Sequence, residues 1–172
     1  MSGHRCGTRG TADRNGNRPH SMAKLASERR PIVVWNTART CNLKCVHCYT
    51  DSDNQRYPGE LTTNEGKLLI DSLADFNVPS LLFSGGEPFM RKDLIELISY
   101  ARDRGIRPVI STNGTLIDRE TAGAVRAAGV TYVGISLDGI GEINDAFRGV
   151  AGAYERAMEG FRNCAEAGQR AG

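Results

Sequence analysis

Past Pro31 the apolar positions of this 172-residue chain alternate between short runs and longer stretches with helical spacing. The runs at residues 32–35, 81–83, 108–110 and 132–137 are rich in β-branched and aromatic residues, and each is short enough to be a buried strand. Helical spacing fills the gaps between them. Thr62 and Glu65 stand as a capping box that opens a helix through about Phe76, with Leu69, Leu73 and Phe76 on one face. Leu94, Leu97, Ile98 and Ala101 recur at i, i+3, i+4 and i+7 and predict a second helix ended by Gly105. Asp118 caps a third that runs to Gly129. Tyr154, Ala157, Met158, Phe161, Cys164 and Ala165 stripe a last helix that stops at Gly168.

Successive strand–helix units require parallel strands joined by right-handed crossovers. The expected class is therefore α/β: a partial TIM-type (β/α) barrel, truncated after about four βα units. A fifth strand is expected to start near residues 169–172, so residues 31–172 read as the N-terminal part of a larger barrel domain. No internal repeat is evident beyond the alternation itself.

Charge separates the first thirty residues from the rest. They carry seven Lys or Arg against Asp13 and Glu28, a balance of +5 in a chain of net +2, so the remainder is −3. Residues 1–30 are expected to be a disordered basic leader, with Met22 an alternative start. The leader lacks the interleaved aromatics and motif of a nucleic-acid binder. It also lacks the apolar stretch of a secretory signal, and no eighteen-residue apolar run predicts a membrane span. Five cysteines, an odd number with three clustered, oppose a secreted disulfide framework and fit a reducing cytoplasm.

The chemistry concentrates where strands end. Cys41, Cys45 and Cys48 lie in Cys-Asn-Leu-Lys-Cys-Val-His-Cys, directly after the first strand. Three thiolates in one short loop suit an iron–sulfur cluster or a zinc ion, and three protein ligands leave one metal position open. Zinc would recruit His47 as its fourth ligand, but His47 and Cys48 are adjacent and strain a tetrahedral site. Ser84-Gly85-Gly86-Glu87-Pro88 follows the second strand. Its glycines admit positive φ and a close ligand approach, and Glu87 offers an acceptor to a cation. Ser111-Thr112-Asn113-Gly114 follows the third strand, and Asn113-Gly114 alone reads equally well as a turn. Ser136-Leu137-Asp138-Gly139 ends the fourth. Arg148 stands soon after, either as a planar fork for a carboxylate or as a surface ion pair. Cys164 is expected in the core, while Cys6, His4 and His20 have no assigned role.

Cys-x3-Cys-x2-Cys followed by Gly-Gly-Glu resembles the radical S-adenosylmethionine (SAM) superfamily, over residues 31–168. The resemblance implies that Cys41, Cys45 and Cys48 are catalytic through a [4Fe–4S] cluster whose fourth iron binds SAM. One electron, from a donor such as ferredoxin or flavodoxin, then cleaves SAM to a 5′-deoxyadenosyl radical that abstracts a substrate hydrogen. His47 fills the family's aromatic-type slot before the last cysteine, and Tyr49 follows it. By the same resemblance Ser84, Gly85, Gly86, Glu87 and Pro88 form the loop that binds the methionyl amino group. Ser111 and Asn113 line the barrel top. Ser136 and Asp138 meet the ribose and amino acid moiety, and Arg148 meets the carboxylate. Asn144-Asp145 departs from the His-Asp that many relatives carry before that Arg.

The stretches Pro31-Ile-Val-Val-Trp-Asn, Tyr57-Pro-Gly-Glu-Leu-Thr-Thr and Asp75-Phe-Asn-Val-Pro-Ser resemble the tetrapyrrole-modifying branch. That branch includes the didecarboxysiroheme deacetylase of the alternative heme pathway and its relative in heme d1 biosynthesis. The implied reaction is side-chain removal from a siroheme-derived tetrapyrrole. A peptide-modifying maturase is the alternative within the superfamily, and a zinc-stabilised, non-catalytic binding module is the alternative outside it.

Overall fold

The computed structural model describes residues 30–172. The expected leader, with Cys6, His4 and His20, lies outside the described residues apart from Arg30. Strands β1 (Val33–Ala38), β2 (Ser80–Gly85), β3 (Arg107–Thr112) and β4 (Tyr132–Ile135) pair in chain order, and every pairing is parallel. Helices α1 (Thr63–Asp75), α2 (Leu94–Asp103) and α3 (Arg119–Ala127) make the crossovers, and α4 (Glu142–Arg148) and α5 (Ala153–Glu166) follow β4. The α/β class and the parallel sheet are as expected. Where a fifth strand is expected there is an isolated parallel bridge, Val133 to Ala171, with Gly172 N–H donating to Val133 O at 3.1 Å.

Register explains which face is covered. Trp35, Phe83, Ile110 and Val133 lie side by side across the four strands, and all are buried. They pack against Ile70 of α1, Leu97 and Ile98 of α2, Val125 of α3 and Cys164 of α5 in one apolar cluster. Each such fully buried side chain contributes about 1.5–3 kcal/mol relative to exposure. The neighbouring row, Val34, Leu82, Val109 and Tyr132, points the other way, and Val34 remains 55% exposed. Helices therefore clothe one face, as on the outside of a barrel.

The capping box forms: Thr62 accepts from Glu65 N–H while the Glu65 carboxylate accepts from Thr62 N–H. Asp118 likewise caps α3 by accepting from Thr121 N–H at 2.7 Å. All four apolar residues assigned to the inner face of α2 are buried. The faces of two other helices differ from expectation. Phe76 caps α1 and is 54% exposed, with Ile70 and Gly66 buried instead. On α5, Phe161 and Ala165 are exposed while Gly160 and Asn163 are buried. Close approach decides this: a β carbon at Gly66 would sit 2.7 Å from the Trp35 ring, and one at Gly160 would sit 2.2 Å from Gly114 O. The small residues mark the contact face. Strand β4 ends at Ile135, two residues early: Ser136 N–H makes one more bond to β3, at Thr112 O (2.9 Å), and Leu137 is already 43% exposed. Among the described residues no helix is long and apolar enough to cross a membrane.

Candidate functional site

The cysteine loop leaves β1 at Ala38 and is fastened on two sides. On one side Gly86 N–H donates to Ala38 O at 2.7 Å and Glu87 N–H to Thr40 O at 2.9 Å. This contact demands glycine: Gly85 has φ +139°, and a β carbon there would lie 2.2 Å from Ala38 O. The close approach expected for a ligand is thus first an approach to another backbone. On the other side Lys44 N–H donates to Arg148 O at 3.1 Å and Val46 N–H to Phe147 O at 2.9 Å. Gly149, with φ +68°, ends α4 against Lys44 O, where a β carbon would be 2.1 Å away. Cys41 N–H closes the loop on Asp53 O at 3.1 Å.

So held, each thiol meets an N–H donor. Cys41 Sγ accepts from Leu43 N–H at 3.4 Å and, more loosely, from Asn113 Nδ2 at 3.9 Å. Cys45 Sγ accepts from Arg148 Nη1 at 3.7 Å. Cys48 Sγ accepts from Ser52 N–H at 3.4 Å and lies 3.3 Å from Thr50 Oγ1. Burial pushes the Cys41 thiol up, against the pull of Leu43 N–H. Burial also raises Cys48, but the hydrogen bonds from Thr50 and Ser52 together outweigh it and hold this thiol below its ordinary range.

A cavity of about 490 Å³ gathers nearly all the residues singled out in the sequence. Cys41, Cys45, Cys48, His47 and Tyr49 come from the loop, and Ser84, Gly85 and Gly86 from the end of β2. Ser111 and Asn113 come from the end of β3, Ser136 and Asp138 follow β4, and Arg148 reaches in from α4. A larger cavity, about 860 Å³, lies between residues 56–63 and 91–93 and contains none of the thiols. Chemistry favours the smaller one.

Glu87 and Pro88 stand apart from this lining. Glu87 is 0% exposed, and its carboxylate accepts from Thr112 Oγ1 at 2.7 Å, Asn113 N–H at 2.8 Å and Phe89 N–H at 3.1 Å. Burial pushes its pKa up to about 7, although all three donors favour the ionised form. The expected acceptor for a bound cation is therefore an inward strut joining the ends of β2 and β3. Pro88 is buried at the start of a short 3₁₀ turn, Pro88–Met90.

Asp138 anchors the opposite wall. Its Oδ2 lies 2.8 Å from Arg148 Nε and 3.5 Å from His47 Nε2. Arg148 is buried, which removes the reading of an ordinary surface ion pair. His47 thus turns toward Asp138, with Phe147 against its ring edge. Among the described residues no three His, Cys, Asp or Glu side chains converge closely enough to hold a single metal ion. Asn113 belongs to more than a turn: its Nδ2 donates to Asn42 Oδ1 at 2.9 Å, and Asn42 Nδ2 donates to Thr115 Oγ1 at 2.8 Å. Sequence reasoning missed Asn42, Thr50, Ser52 and Thr115. Thr50 and Ser52 had a signal, short polar side chains two and four residues after Cys48, where such groups bond to local partners; Asn42 and Thr115 meet only across 73 residues of chain.

The donor set fits an iron–sulfur cluster. Three sulfurs line one cavity, each with an N–H directed at it, and hydrogen bonds of this kind tune a cluster's potential.

Comparison with known proteins agrees with this chemistry. The profile of the family described as "Radical SAM superfamily" matches residues 35–171. The Fe-coproporphyrin III synthase of Methanosarcina barkeri is 55% identical over 154 residues, 90% of this chain and 39% of that protein. The pre-heme d1 synthase of Dinoroseobacter shibae is 48% identical over 143 residues, 83% of this chain and 35% of that protein. The chain thus spans well under half the length of either relative. Among solved structures, Streptococcus suis SuiB bound to S-adenosylmethionine superposes with a TM-score of 0.69 at 22% identity, covering 81% of this chain and 32% of SuiB. At that identity the likeness speaks to fold.

Proposed function

The chain belongs to the radical SAM superfamily, and on that premise we propose that Cys41, Cys45 and Cys48 hold a [4Fe–4S] cluster at which SAM binds, in an enzyme of heme biosynthesis that removes side chains from a siroheme-derived tetrapyrrole. Bound there, the cluster and SAM supply one-electron cleavage to a 5′-deoxyadenosyl radical, with the electron coming from a ferredoxin or flavodoxin. The observation that carries the reading is the convergence of three thiols, each with its own N–H donor, on one cavity that also takes in the ends of β2, β3 and β4.

This chain's residues then divide the remaining work. Asn113, Arg148 and the Leu43 and Ser52 amides stabilise thiolate charge. Glu87 braces the end of β2 against β3, which leaves Ser84, Gly85 and Gly86 along the cavity to meet the amino group of SAM. Ser136 and Asp138 offer polar contacts to its ribose and amino acid parts, and Arg148 serves its carboxylate. His47 and Tyr49 flank the thiols. The names of relatives at 55% and 48% identity support a tetrapyrrole rather than a peptide as substrate.

Reconstituted anaerobically and given dithionite and SAM, the protein is expected to release 5′-deoxyadenosine, and Cys45→Ala to release none. Equal release from the variant contradicts the cluster assignment. With didecarboxysiroheme added, mass spectrometry is expected to show loss of acetate units. An unchanged macrocycle beside continued 5′-deoxyadenosine release overturns the substrate and leaves the cluster standing.

A further inference from the structure

Thr50 and Ser52 follow Cys48 by two and four residues and belong to none of the motifs that mark the site. Thr50 Oγ1 lies 3.3 Å from Cys48 Sγ and 2.6 Å from Ser52 Oγ. The Ser52 amide donates to the same sulfur at 3.4 Å. A thiolate has no proton to give, so once Cys48 ligates a metal the Thr50 hydroxyl must be the donor to sulfur. Its one proton is then committed. The short contact with Ser52 follows only if the Ser52 hydroxyl donates to Thr50 Oγ1. Sulfur charge thus fixes the direction of the whole relay.

Packing fixes its far end. A β carbon at Gly86 would lie 2.8 Å from Ser52 Oγ, so the Gly85–Gly86 segment rests against that hydroxyl. The other two thiols have side-chain donors too, but longer ones: 3.9 Å from Asn113 to Cys41 and 3.7 Å from Arg148 to Cys45. Cys48 therefore has the shortest side-chain contact of the three, backed by a second hydroxyl.

We propose that Thr50 and Ser52 are positioning residues that hold the Cys48 thiolate by a hydroxyl relay and raise the reduction potential of the cluster from that corner. Hydrogen bonds to cluster sulfur stabilise the reduced state, which carries one more negative charge. This rests on the cluster reading above, and the experiment separates the two.

Wild type, Thr50→Val, Thr50→Ser and Ser52→Ala are reconstituted anaerobically, assayed for iron, and titrated with dithionite under electron paramagnetic resonance. Val keeps the shape of Thr and removes the hydroxyl, and Ser restores it. Thr50→Val is expected to load iron as wild type does and to show a midpoint shifted to more negative potential. Thr50→Ser returns to the wild-type value, and Ser52→Ala shifts less in the same direction. If Thr50→Val fails to load iron, full loading by Thr50→Ser still supports the relay, and failure of both overturns it. A fully loaded Thr50→Val with the wild-type midpoint overturns the relay alone. A wild-type protein that takes up no iron overturns the cluster reading, and the relay with it.

Discussion

Trp35, Phe83, Ile110 and Val133 form one row across the sheet, and the ends of the same strands, at Ala38, Gly85 and Thr112 and at Ser136 just past β4, form its rim. The row is apolar, buried and covered by four helices. The rim holds few apolar contacts and is joined by directed bonds: Gly86 to Ala38, Glu87 to Thr112, Ser136 N–H to Thr112 O at 2.9 Å. Area and shape hold the row, so its failures are failures of stability. Partner-by-partner bonding and missing side chains hold the rim, so its failures are failures of the site. The difference teaches that folding and chemistry are largely separable in this chain, with Glu87, fully buried and bonded across the ends of β2 and β3, belonging to both.

The row is tested most severely by Phe83→Ala. Phe83 is fully buried in the centre of the sheet, so its truncation is expected to cost about 3–5 kcal/mol, read from urea unfolding. A loss well under 1 kcal/mol breaks the comparison on its apolar side.

Glu87 sharpens it next. Its pKa lies near 7 in the folded chain, against an ordinary 4.5, because burial disfavours its charge. Between those values the folded state keeps a proton that the unfolded state has lost. Stability from this group is therefore complete below pH 4.5 and falls as pH rises through 7, by about 3 kcal/mol. Urea unfolding at a series of pH values should show that decline, and Glu87→Gln should flatten it. An equal slope in the variant assigns the pH dependence elsewhere.

A smaller effect is expected on the covered side, at the start of α1. Thr62→Ala removes the cap that Glu65 N–H uses and should cost about 1 kcal/mol, leaving the iron content of reconstituted protein unchanged. Loss of iron from this remote variant denies the separation of fold from site.

Much of this architecture was legible. Strands read as apolar runs because the uncovered row, Val34, Leu82, Val109 and Tyr132, is as apolar as the buried one, and α2 read correctly because large residues mark its inner face. The faces of α1 and α5 misled because Gly66 and Gly160, not Phe76 and Phe161, make the close contacts. Helix α4 was not foreseen: its seven residues are too few to establish a period, and Gly149 sets its end. Within the site, cysteine spacing and strand-end position located nearly every lining residue. What the chain order could not convey was direction. Glu87 turns inward because Thr112 and Asn113, at the end of β3, offer donors. Thr50 and Ser52 matter because the loop folds back on Cys48. Such partners become neighbours only after the sheet is assembled.

The central claim is that Cys41, Cys45 and Cys48 act together as ligands to one cluster, and iron and sulfide analysis of anaerobically reconstituted protein tests it most directly. About four irons and four sulfides per chain are expected in wild type, falling to background in Cys41→Ala, Cys45→Ala and Cys48→Ala alike. Stoichiometric zinc without sulfide, or full iron in any one of the variants, contradicts it.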